Sequence, residues 1–298
     1  MLYQQIAHNK RKTALLLIIF ILILALVGAG AGYIFANNAV VGIIWAVLGS
    51  LVYLAIVLHN PANLVMSMNH GREIHEQDDP ELWHIVEDMA LVAQVPMPKV
   101  YIINDPSPNA FATGRDPKHS AVAVTSGLRE GLNREELEGV LGHEFSHIRN
   151  YDILVSTIGV VLVGVISFIS SYAARYVWWF GGNKRDDDEK NMSPVEAIFK
   201  IIAIVFVFIL GPLSASLAQM ALSRNREYLA DAGSVELTRN PHGLISALEK
   251  ISGGKPMKKA DRSSAGMYIE NPFHKQGWSH LFDTHPPTVD RIKRLEKM

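Results

Sequence analysis

The sequence predicts an α+β integral membrane protein in which about four transmembrane helices accompany a split cytoplasmic domain, mostly helical with a small sheet. Three features carry that expectation: four apolar runs, a helix-forming segment bearing H-E-F-S-H, and short β-branched runs ahead of it. Composition agrees, since 49% of the 298 residues are hydrophobic and 19% charged, against roughly 25% charged in an average soluble domain. Part of the surface must therefore face something other than water. A formal charge of -1 gives no overall electrostatic reason to expect nucleic acid as partner. With no cysteine, disulfide frameworks, Cys-ligated zinc, iron–sulfur clusters and a thiol nucleophile are excluded, so any metal must rest on the 12 His and on carboxylates.

The apolar runs are 13–36, 39–58, 153–174 and 201–218, and the first three hold no charged residue. Each reaches or approaches the ~20 residues needed to cross the hydrocarbon of a bilayer. A secretory signal is the competing reading of the first run, because Lys10, Arg11 and Lys12 precede it. Its length exceeds the roughly 7–15 residues of a signal core, and a second run follows after only Asn37 and Asn38. The fourth run is broken by Gly211-Pro212 and also reads as a buried soluble helix. Segments 1–12, 59–152 and 219–298 carry 3, 7 and 13 Lys+Arg, whereas 37–38 carries none and 175–194 carries 4. Both termini are therefore expected inside, giving a multi-pass cell-membrane protein with its soluble parts cytoplasmic. The chain divides into 1–58 (stub and hairpin), 59–152 (first soluble half), 153–218 (second hairpin) and 219–298 (second soluble half). Trp178 and Trp179 read as interfacial anchors, and the mixed-charge loop 175–194 as a solvated connector.

Within 59–152, Leu82, Ile85, Val86, Met89 and Ala90 recur at helical spacing over Pro80–Ala93, with Asp78 and Asp79 as cap candidates. Lys99–Asn104, Asn109–Thr113 and Ala121–Thr125 form a small sheet on this reading. Asn133 stands three before Glu136, the signature of a capping box, and opens the helix L-E-G-V-L-G-H-E-F-S-H-I-R-N.

That helix carries His143-Glu144-Phe145-Ser146-His147. Spacing i, i+4 sets both imidazoles on one face, a turn apart, where they can share one zinc ion with Glu144 beside it. Zinc lowers the pKa of a water towards about 7 and polarises a carbonyl, while a nearby Glu takes and later returns a proton. A chance match of three fixed positions is the competing reading. Downstream, Glu227 and Asp231 are again i, i+4, so one carboxylate can bind the metal while the other accepts a ligating His N–H. Taken alone, 223–231 reads equally as a polar helix with surface ion pairs. If both helices ran straight into the apolar runs, His147 and Glu227 would lie about 9 and 14 Å outside the membrane.

H-E-F-S-H, R-E-Y-L-A-D some 80 residues on, two apolar runs at the N-terminus and two between the motifs together resemble the HtpX heat-shock membrane metallopeptidases, relatives of the CAAX prenyl endopeptidases. The resemblance spans essentially the whole chain. It implies a zincin-like (gluzincin) domain and a zinc endopeptidase, one Zn²⁺ per chain, that degrades misfolded or misassembled membrane proteins in quality control and the stress response. Carried over by position, it makes His143, His147 and Glu227 the ligands, Glu144 the catalytic base and Asp231 the carboxylate behind a ligating His. His285 of His285-Pro286-Pro287 would stabilise a carbonyl or oxyanion, although without the resemblance it reads as an ordinary loop His. Asn109, Ala110, Phe111 and Ala112 resemble the edge strand on which such peptidases lay out substrate; a plain sheet edge is the alternative. Segment 253–282 matches nothing assignable, and His70, His75, His84, His119, His242, His274 and His280 read as structural or solvated. Two other functions compete: an intramembrane or prenyl-protein protease, disfavoured by Arg134, Glu135, Arg149 and Asp152 around the motif, and a silent scaffold or transporter, disfavoured by the lack of charge at mid-membrane.

Overall fold

A computed structural model describes residues 2–165, 224–273 and 286–298. Run 201–218, residues 166–174 of the third run, loop 175–194, the two tryptophans, His274, His280 and His285 lie outside them. The described part is mostly helical with one small sheet. Helices α1 (Leu2–Ala36) and α2 (Ala39–His59) form a hairpin turned by Asn37, at φ 50, and capped by Asn38, whose side chain accepts the Val40 and Val41 N–H groups. Gly28, Gly32 and Gly42 let the two backbones touch: a Cβ on Gly28 would stand 2.5 Å from the Gly42 carbonyl oxygen. Such small-residue crossings suit helices packed in lipid. The outer faces are apolar as well, with Leu22, Leu26 and Trp45 63%, 74% and 71% exposed, a continuous patch that a soluble monomer rarely leaves uncovered. Among the described residues these two helices are long and apolar enough to cross a bilayer.

Next come α3 (Pro61–Met68), β1 (Gly71–Ile74), α4 (Pro80–Ala93), β2 (Lys99–Ile103), β3 (Ala110–Gly114), β4 (Ser120–Thr125), α5 (Ser126–Gly131) and α6 (Arg134–Arg149). The expected bounds of α4 are met, and Asp79 caps it by accepting the Leu82 N–H. Sheet order is β1-β2-β4-β3, with β2 and β4 parallel and both outer pairs antiparallel. β3 is therefore an edge. The Asn133 capping box is present with both of its hydrogen bonds.

The helix bearing the histidines does not run straight towards the third apolar run. α6 stops at Arg149, Tyr151 adopts φ 60, and α7 (Asp152–Val165) departs at 85°. Left-handed backbone at a non-glycine residue ends a helix firmly, so the straight-helix height of His147 does not hold. Ile153 enters the main core with Phe145 and Ile148, while Val155, Ile158 and Leu162 pack on Leu16, Phe20 and Leu54 of the hairpin. The chain is described again from α8 (Arg224–Thr238) through α9 (Pro241–Ser252) to α10 (Thr288–Leu295). α6 is the hub, packed against α4, α8, α9 and β3.

Close approach explains the α6–α8 pairing. A Cβ on Gly142 would meet Ser234 Oγ at 2.9 Å, and one on Gly233 would collide with the Ser146 side chain. Ser234 Oγ also donates to the Gly139 carbonyl at 2.6 Å.

Glu136 anchors the start of α6. Burial opposes its ionisation, but bonds from Lys250 Nζ at 2.7 Å, the Ser246 hydroxyl and the Asn133 N–H outweigh that and hold its carboxyl below the ordinary range. The ionised form thus stabilises the fold above the unfolded-chain value of about 4.3, and the contribution disappears as pH falls through the lower folded value. Asn133→Ala should cost about 1 kcal/mol in denaturant titrations of the detergent-purified protein. Glu136→Gln should be less stable than wild type at neutral pH, with the gap narrowing below about pH 4.

Candidate metal centre

Position i, i+4 on α6 brings the two imidazoles to 4.7 Å between centroids, nearly perpendicular at 87°. Their Nε2 atoms lie 3.2 Å apart. Glu227, in the first turn of α8, reaches the same point, with Oε2 3.5 Å from His143 Nε2 and Oε1 3.7 Å from His147 Nε2. Four ligands arranged tetrahedrally about zinc at 2.0–2.1 Å stand about 3.3 Å from one another. The three donors found here have nearly that spacing.

Behind each imidazole stands a carboxylate. His143 Nδ1 faces Asp231 Oδ1 at 3.0 Å, and His147 Nδ1 faces Asp152 Oδ2 at 3.1 Å. A carboxylate accepts only, so each Nδ1–H is the donor, and each Nε2 is directed at the point it shares with Glu227, where it can bind a cation or carry a second proton. Burial alone would lower the His143 pKa, yet the Asp231 and Glu227 carboxylates push it up to about 9. A proton there takes up the role that a cation would fill.

Charge balance points the same way. Glu144, Asp152, Glu227 and Asp231 are all buried, and the buried cation among the described residues is Arg291. Arg291, fully enclosed, donates to both Asp231 oxygens at 2.6 and 3.0 Å and to the Ile269 carbonyl at 2.9 Å. Burial opposes ionisation of Asp231, but Arg291 and His143 hold its carboxyl below the ordinary range. Arg226 approaches Asp152 at 3.7 Å from the partly exposed side. His143, His147 and Glu227 offer nitrogen and carboxylate oxygen donors converging on one point, so the residues fit a divalent metal ion.

Glu144 projects into the same cleft, which Ala112, Ser156, Arg226 and Met267 help to line. Its Oε1 is buried without a hydrogen-bond partner among the described residues. Burial raises its pKa, while the two histidines and the Ala112 N–H oppose that.

The edge strand is largely committed to the fold. Phe111 packs edge-on against Tyr268 at 4.8 Å, the Asn109 side chain donates to the Glu270 carbonyl, and the Ala110 carbonyl accepts the Ile269 N–H. The Gly114 N–H is bonded to the Thr157 hydroxyl. In an antiparallel pair alternate residues turn their backbone groups outward, so Ala112, between Ala110 and Gly114, turns its own towards Glu144.

Residues 76–298 match the model of Peptidase family M48. A protein of Lactobacillus acidophilus named Protease HtpX homolog is 74% identical over 298 residues, covering 100% of both chains. One of the same name from Lactobacillus helveticus is 73% identical, again over 100% of both. Among solved structures, that of S. mikatae Ste24p is similar at 19% identity and a TM-score of 0.49, over 85% of this chain and 58% of that one.

The structure brings His143, His147, Glu144, Glu227, Asp231 and Ala112 to one place. Asp152 and Arg291 join them: Asp152 reads in sequence as a charge flanking the motif, and nothing in the sequence singles out Arg291. The first part of the unassigned segment 253–282 walls the cleft through Gly266 and Met267. Arg291→Leu should cost about 3–5 kcal/mol in denaturation, because it strands Asp231 as an uncompensated buried charge. The double variant with Asp231→Leu should recover part of that loss; no recovery would mean that Arg291 contributes by packing rather than by pairing.

Proposed function

The chain belongs to peptidase family M48, and from that premise we propose that this membrane metalloprotease is a zinc-dependent endopeptidase in which Glu144 is the general base. The observation that supports it best is the convergence of His143 Nε2, His147 Nε2 and Glu227 within 4.8 Å, with the buried Glu144 alongside, its Oε1 without a partner among the described residues. These three residues would hold the ion, with Asp231 and Asp152 fixing the imidazoles. When bound, zinc lowers the pKa of a water towards neutrality and polarises the scissile carbonyl.

The chain's own groups supply the remaining chemistry. Glu144 Oε1 accepts the proton of the attacking water and later delivers it to the leaving amine. A carboxyl raised by burial holds that proton better than an exposed one, which matches the two-way task. Ala112 offers its backbone carbonyl to an extended substrate in the manner of an added strand. That recognition reads main chain more than side chains, so it suits unfolded segments of varied sequence. His285 is proposed to stabilise the substrate carbonyl, on the family resemblance alone.

We extend the proposal to the whole chain: four spans, a peptidase domain formed by 59–152 and 219–298 around the second hairpin, and a cytoplasmic site. The substrates would be misfolded or misassembled membrane proteins, which makes the role one of quality control.

Metal content of detergent-purified protein, measured beside casein hydrolysis, tests the core of this reading. Wild type and Glu144→Gln should each carry about one zinc, with chelator-sensitive hydrolysis in the wild type only. Glu227→Ala and His143→Ala should lose both, and Asp231→Ala should weaken zinc by about 10–100-fold. Near wild-type turnover in Glu144→Gln would remove the proposed base, and zinc-free folded wild type would remove the metal.

A further inference from the structure

Asp152, which fixes His147, draws its own support from the first transmembrane helix, in a part of the chain that lies ahead of the family match at 76–298. The side-chain amide of Asn9, on α1, donates to Asp152 Oδ1 at 2.8 Å and to the Asn150 carbonyl at 3.2 Å. Both partners are acceptors, so the amide orientation is unambiguous and both of its hydrogens are used. Asn9 is 2% exposed. It sits one helical turn before Thr13, whose hydroxyl donates back to the Asn9 carbonyl at 3.0 Å. The two groups that Asn9 holds flank Tyr151, the left-handed residue where α6 gives way to α7, and Lys10 lies over the Tyr151 ring at 5.2 Å.

The consequence for the histidine is geometric. Asp152 Oδ2 can orient His147 only while its carboxylate plane is held, and Oδ1 is the handle by which that is done. Without the amide, the Asp152 carboxylate faces Arg226, 3.7 Å from Oδ1 on the cleft side, together with Lys12 of α1. Turning towards Arg226 would pull Oδ2 off the His147 N–H.

We infer that Asn9 is a positioning residue for the metal centre: through Asp152 it keeps His147 Nδ1 protonated and Nε2 aimed at the ion, so that metal affinity depends on the first transmembrane helix. The inference rests on His147 being a zinc ligand, as proposed above.

Zinc dissociation constants, measured by chelator competition on full-length protein in detergent, test it without reference to turnover. Asp152→Ala should weaken zinc by about 10–100-fold. Asn9→Ala should weaken it by roughly 3–10-fold, the scale of one buried hydrogen bond. In the Asp152→Ala background, Asn9→Ala should add nothing, because its effect passes through that carboxylate. Thr13→Ala, which removes a neighbouring hydroxyl that does not touch Asp152, should leave zinc unchanged. Unaltered zinc in Asn9→Ala, an equal loss from Asn9→Ala with and without Asp152, or an equal loss in Thr13→Ala would each overturn the inference. Should Asn9→Ala not fold, as judged by melting temperature, Asn9→Ser is read against the same criteria. His147→Ala separates the two levels: if it binds zinc like the wild type, the ligand assignment itself has failed.

Discussion

An imidazole can turn one nitrogen towards a metal only if something settles where its proton sits. In this chain that constraint governs the arrangement of distant parts. His143 and His147 share a helix face by their spacing, but spacing alone leaves each ring free to flip or to change tautomer. Asp231 and Asp152 remove that freedom at 3.0 and 3.1 Å. Each carboxylate then needs support of its own. Asp231 can approach only because α8 lies against α6 at Gly142, Gly233 and Ser234, and it stays ionised in the interior because Arg291 crosses from α10. Asp152 faces back towards His147 because the chain breaks sharply at Tyr151 rather than continuing as one helix.

Stability does not explain such a cluster. Burying several carboxylates together costs desolvation that apolar residues of similar volume would avoid. The rest of the core has no such need: Leu82, Val86, Val140, Phe145, Leu244 and Leu248 pack as an ordinary apolar interior around the same helix. The polar centre is instead set into that interior with its metal-ligating atoms converging. The Asp231 and Glu227 carboxylates raise the pKa of His143 against the effect of burial. A divalent cation at the same point would meet the same carboxylates.

Local features of the fold were legible because local physics sets them. Asp79 and Asn133 cap the helices they precede, and the spacing in H-E-F-S-H puts two imidazoles on one face whatever surrounds them. The lengths of the first two apolar runs likewise fix a hairpin. What escaped the sequence depends on distant partners. Tyr151 carries no sign of a left-handed turn, where Gly or Asn would have shown one. Arg291 lies among Lys293 and Arg294, and only the fold distinguishes the fully buried base from the exposed ones. The segment 257–269 has neither helical nor strand period, yet it contributes Met267 to the cleft and Tyr268 to the wall behind Phe111.

The membrane hairpin is part of the site rather than a tether for it. Thr157 of α7 bonds both the Thr113 hydroxyl and the Gly114 N–H, fastening one end of the edge strand. Arg115, just past that strand, donates to the Leu58 and His59 carbonyls at the end of α2. Leu16 and Phe20 of α1 pack on Val155, Ile158 and Leu162 of the same α7. The helix that carries Asp152 at its first residue is thus clamped between the hairpin and the strand bearing Ala112. A rotation of the hairpin would move the support of His147 and the edge facing Glu144 together, since both are fixed to one rigid helix. The geometry of the candidate metal centre and the packing of the membrane segment are for that reason a single structural problem in this chain.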